Sequence, residues 1–165
     1  MRETRSVTGQ YDNATLGDAA VEGLFSGMIA GISMAAYLGM VNLIMGESLL
    51  ETFARFAVSD DATPLLGFLL HLGVSGVYGL VYGLLCQLIA RRWINRPSLW
   101  LSVLMGCAYG LVLLILAQVV LLPGSASPLK EISLTHLSIA HLIYGAALGI
   151  LTRTEENSLH QNLSR

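Results

Sequence analysis

Charge is scarce in this chain. Asp, Glu, Lys and Arg make up only 12% of the 165 residues, while hydrophobic residues reach 54%. A soluble domain carries roughly twice that share of charge. A protein this poor in charge lacks the polar surface that keeps a chain dissolved, whereas a lipid-facing one needs no such surface. The net charge of −2, without a basic patch interleaved with aromatics, excludes a nucleic-acid partner. Cysteine is equally sparse. Cys86 and Cys107 are the only two, and both lie inside apolar runs, which argues against a disulfide framework and against a paired-cysteine metal or redox site. Catalytic signatures are missing as well: there is no Gly-x-Ser-x-Gly elbow, no His-Glu-x-x-His, no phosphate loop and no acidic pair within an apolar segment. Ser75 follows His71 by one helical turn, but with no third orienting group that pair makes no hydrolase. The expectation is a protein that is not an enzyme.

What the sequence does have is long uncharged stretches. Residues 23–46, 62–90, 97–129 and 132–152 contain no Asp, Glu, Lys or Arg. At about 1.5 Å of rise per residue, roughly 20 residues cross a hydrocarbon core of about 30 Å. Helices are the expected spanning form, because backbone polar groups find no water in that layer and short alternating strands are absent. The predicted fold class is therefore all-α: a polytopic membrane protein with spans at about 19–46, 64–90, 98–122 and 131–152. Asp18 is placed to cap the first helix, and Ser127-Pro128 to open the fourth.

Seven positive charges, Arg2, Arg5, Arg91, Arg92, Arg96, Arg153 and Arg165, fall on one side of these spans, against Arg55 and Lys130 on the other. That bias places both termini in the cytoplasm and the chain in the cell (inner) membrane. The polar start followed by a span-length apolar run does not read as a cleaved signal peptide. Residues 1–17 and 154–165 read as polar, disordered or surface-lying tails around a membrane domain at 18–153. Ser48-Leu49-Leu50-Glu51 forms a capping box. Leu49, Leu50, Phe53, Phe56 and Ala57 then recur on one face, predicting a short amphipathic helix over 48–58 that lies on the outer surface or closes the bundle as a lid.

Small residues recur every fourth position in all four spans. The first has Gly23, Gly27, Gly31, Ala35 and Gly39; the second has Gly67, Ser75, Gly79 and Gly83; the third has Ser102, Gly106 and Gly110; the fourth has Gly145 and Gly149. Positions four apart share a helix face, so each stripe is a groove where another backbone can approach closely. Packing inside one subunit explains them, and the long first stripe also suits a contact between copies in a homo-oligomer. The chain resembles itself too. Tyr78-Gly79 and Gly83 align with Tyr144-Gly145 and Gly149, and Gly27 and Gly31 align with Gly106 and Gly110. This predicts two helical hairpins as parallel repeats. The histidine-tyrosine-glycine ends of the second and fourth spans, with the Gly/Ala-rich first span, resemble small bacterial multi-span membrane proteins of the YagU-like kind. That likeness covers roughly residues 20–152 and implies an inner-membrane location with no established reaction.

The polar side chains within the spans are His71, His136, His141, Asn42 and Gln118, which the topology gathers in the outer half, and Gln87 near the inner boundary. Such groups face a bundle interior or a wet cavity rather than lipid. They suit three roles: hydrogen-bonding glue between helices, a solute, proton or metal-ion path, or ligands to b-type haem or a metal ion. His136 lies about 140° round the helix from His141, so the two cannot chelate one ion from a single helix. The expected function is assembly through helix packing, as an accessory subunit of a larger membrane complex or a small homo-oligomer, without a cofactor. A small transporter or channel is the alternative.

Overall fold

A computed structural model describes residues 15–57, 63–93, 98–121, 123 and 132–163. All the regular secondary structure among the described residues is helical, with no strand: α1 (Leu16–Ile44), α2 (Leu49–Arg55), α3 (Pro64–Trp93), α4 (Leu99–Leu116), a π-helical turn (Ala117–Leu121) and α5 (Leu134–Leu163). Four helices are long and apolar enough to cross a bilayer, over Leu16–Ile44, Pro64–Ile89, Leu99–Val120 and Leu134–Arg153. This is the architecture of a multi-pass membrane protein. Its surface agrees, since Leu65, Leu104, Val112 and Val119 stand exposed while Ser26, Ser75 and Ser102 are buried. Many large apolar side chains face outward, while serine, alanine and glycine share the interior with a core that includes Leu38, Tyr82, Tyr144 and Leu148.

Local chemistry sets the ends. Asp18 does not cap α1. Thr15 does, its Oγ1 accepting from the Asp18 amide at 3.1 Å while Asp18 Oδ2 accepts from the Thr15 amide at 2.9 Å. The reciprocal pair satisfies two free amides and starts the helix at Leu16. After α1 the chain reverses at Gly46, whose φ of +89° is open to glycine at little cost. Proline opens α3, where its missing N–H costs nothing. Ser98 caps α4 by accepting from the Leu101 amide at 3.3 Å. The expected Ser127-Pro128 cap lies outside the described residues, as do residues 1–14 of the N-terminal tail. The C-terminal segment differs from expectation: α5 runs on to Leu163, because 154–163 contains neither glycine nor proline to stop it.

The helices pack as two close pairs, α1 with α3 and α4 with α5, and the pairs meet through α1 and α5. Within each pair the backbones touch. A Cβ on Gly79 would collide with Gly23 O and Gly27 Cα, and one on Gly27 would lie 2.5 Å from Ser75 O. In the second pair, a Cβ on Gly106 would collide with Gly145 O, and one on Gly149 with Ser102 O. The hydrogen that stands in place of each Cβ thus points at a carbonyl oxygen, the geometry of a weak Cα–H···O bond. The long stripe of α1 is consequently occupied by α3 of the same chain, and is not free for a second copy. Two striped positions meet α2 instead: Gly39 lies beneath Leu49, and Gly67 beneath the Phe53 carbonyl.

Candidate functional site

The polar side chains singled out in the spans gather mostly at the end of the bundle covered by α2. That short helix carries its predicted capping box. Glu51 Oε2 accepts from the Ser48 amide at 2.7 Å, and Ser48 Oγ accepts from the Glu51 amide at 3.2 Å. The Ser48 amide, with help from its hydroxyl, holds the Glu51 carboxyl below the usual carboxylate range. Arg55 forks onto Glu47 with contacts of 2.6 and 2.9 Å, fastening the end of α2 to the turn that precedes it.

The face that α2 buries is the predicted one only in part: Phe56 and Ala57 are buried and Phe53 packs against the core, as expected. Leu49 and Leu50 are exposed, whereas Thr52 is completely buried beside Phe56 and Ala57. The cause is Asn42, near the end of α1, whose amide donates to Thr52 Oγ1 at 3.0 Å. A buried amide without a partner costs more than exposing two leucines to lipid, which solvates them. This rotation brings Phe53 to Phe68 at a centroid separation of 5.0 Å and lays Phe56 over His71 at 4.4 Å and 22°. The short helix is a cap on α1 and α3.

Beneath it, His71 Nε2 lies 3.0 Å from Gly31 O. A carbonyl only accepts, so Nε2 carries the proton and donates. His141 donates from Nδ1 to Leu137 O, one turn back in its own helix, at 2.8 Å. His136 pairs with a different residue: its Nδ1 lies 3.1 Å from the Tyr37 hydroxyl, joining α5 to α1. Gln118 is not drawn into this group. It sits half-buried in the π-helical turn, without a hydrogen bond to any of the other four. Among the described residues, no three His, Cys, Asp or Glu side chains stand close enough to share a metal ion.

A second set of polar contacts was not singled out from the sequence. The Tyr144 hydroxyl donates to Ser75 O at 2.7 Å, Tyr109 to Tyr78 O at 2.8 Å and Tyr82 to Ser102 O at a long 3.5 Å. Each bond crosses from one helix pair to the other. The signal was the Tyr-Gly pairing, since a tyrosine beside a packing glycine lies at the edge of a close helix contact and reaches the next helix. Ser26, in contrast, is buried with no hydrogen-bond partner for its hydroxyl. Against protein-family models, curated proteins and solved structures, the chain has no match.

Proposed function

We propose that this protein works through its helix contacts and not through chemistry, as an accessory subunit or small homo-oligomer of the inner membrane, with both termini in the cytoplasm. The observation that carries the reading is the way the α2-side polar groups are used. His71, Asn42, His136 and His141 each engage a partner within the fold, and for His71 and His141 that partner is a backbone carbonyl. A carbonyl accepts a proton bond but relays nothing onward. These contacts have the form of interhelical glue, worth about 0.6–2 kcal/mol each where they cross between helices. A haem iron binding His71 through Nε2 would have to break the Gly31 bond, with Phe56 already stacked on the ring.

The contact pattern also supports the two-hairpin repeat. Gly23 meets Gly79 and Gly83 as Gly106 meets Gly145 and Gly149, and Gly27 meets Ser75 as Gly110 meets His141. This register matches Gly23–Gly27 with Gly106–Gly110, one turn earlier than the sequence alignment. On this reading an oligomer contact uses a lipid-facing surface other than the α1 stripe.

The competing function is a small transporter or channel through the same polar cluster. Replacing His71 and His141 by leucine separates the two in proteoliposomes. Weakened assembly, followed by cross-linking, with no change in proton or solute flux supports the packing role. Intact assembly with altered flux overturns it.

A further inference from the structure

The contacts inside this bundle divide by type. The backbone-to-backbone approaches at Gly23, Gly27, Gly79 and Gly83 join α1 to α3, and those at Gly106, Gly110, Gly145 and Gly149 join α4 to α5. Apart from a bond between Tyr82 and Cys86 within α3, the tyrosine hydroxyl bonds among the described residues run the other way. Tyr37 to His136, Tyr82 to Ser102 O, Tyr109 to Tyr78 O and Tyr144 to Ser75 O all connect one hairpin to the other. The two kinds of contact respond differently to displacement. Carbonyls packed against glycine Cα atoms have no side chain that can swing to follow a shift, so they hold one geometry or none. A tyrosine has two side-chain torsions, and its hydroxyl bond can break and re-form as helices slide.

The two sides of the hairpin interface are also unequal. On one side α1 and α5 approach closely, and Ala30 and Ala140 there are fully buried. On the other, α3 and α4 hardly approach through their backbones, and the gap is bridged by Tyr78, Tyr82 and Tyr109, with the Tyr82 and Tyr109 rings 5.1 Å apart. We infer that the hairpins are rigid bodies joined along α1 and α5, and that the tyrosine-bridged seam between α3 and α4 is where the bundle parts, opening its interior sideways to the bilayer. Tyr82, only 4% exposed, and the Ser75 and Ser102 carbonyls that the hydroxyls now cover are what such an opening uncovers.

Distances between paired spin labels test this in the full-length protein reconstituted in bilayers, with Cys86 and Cys107 replaced by alanine. One pair spans the seam, at the lipid-facing positions Val81 and Leu104; the other lies within the first hairpin, at Ile32 and Val74. Tyr82→Phe with Tyr109→Phe removes the two hydroxyls while keeping the rings. The expected result is a longer and broader seam distance with the hairpin distance unchanged, and the unchanged hairpin also reports that the protein has folded. Two results overturn the inference: neither distance moves, so the hydroxyls do not hold the seam, or both broaden together, so the hairpins are not rigid.

Discussion

Single residues in this interior are judged by whether their polar atoms have partners. Ser26 is the clearest case, because it is 1% exposed and its hydroxyl is unpaired. Leaving such a group buried costs about 1–3 kcal/mol, and Ser26→Ala removes it without opening a large void. The substitution is expected to raise the thermal unfolding midpoint in detergent. His71 is the opposite case. His71→Leu loses the bond to Gly31 O and the stack with Phe56, and leaves that carbonyl with one partner fewer. A loss of about 1–2 kcal/mol is expected, read as a lowered midpoint. Glu51 adds a pH dependence. Its carboxyl titrates below the ordinary value of 4.5 because the Ser48 amide favours the ionised form. The stabilisation of α2 is therefore complete above that value and disappears as pH falls through the lowered one. The exchange protection of the Ser48 and Glu51 amides, taken relative to the intrinsic rate at each pH, is expected to fall in that acidic range, and Glu51→Gln, which keeps the shape, is expected to flatten the dependence.

For the helices, glycine has two meanings that its spacing alone does not separate. Gly79 faces the backbone of Gly23 and Gly27, whereas a Cβ on Gly73, in the same helix, would meet nothing within 4 Å. Gly79→Ala forces two backbones apart and is expected to cost about 1–3 kcal/mol. Gly73→Ala only removes helix-weakening flexibility, and a gain of about 0.5–1 kcal/mol is expected. Comparing the two variants by denaturant or heat in the same detergent isolates the packing effect from helix propensity. This contrast also marks how far the sequence is legible. Four spans follow from uncharged length, and the α2 capping box from four consecutive residues. The buried face of α2 follows only in part: Phe56 and Ala57 are legible from the apolar spacing, but Thr52 is chosen by an amide on another helix. The role of the tyrosines does not follow, because their acceptors are backbone carbonyls, which every residue has. The α5 extension was missed for a simpler cause: loss of hydrophobicity marks the end of a span, and a helix ends only where its backbone hydrogen bonds do.

At the scale of the whole molecule, the predicted orientation rests on seven positive charges against two. Reporter fusions active only in the cytoplasm are expected to signal from both termini, and a signal from just one would mean an odd number of crossings. Oligomer contacts, where they form, are expected to survive conservative changes in the α1 stripe that leave the chain folded, since α3 occupies that groove within the same chain. Cross-linking in native membranes checks this, and identifies a companion protein if one is present.

The continuation of α5 beyond Arg153 has a mechanical consequence. Span and extension form one uninterrupted rod, with ten further residues, 154–163, reaching past the apolar segment. At about 1.5 Å per residue that is an arm of roughly 15 Å. Any tilt of the second hairpin inside the bilayer is transmitted to the arm's tip without a flexible link to absorb it, so rocking among buried helices becomes a displacement that the aqueous phase can feel.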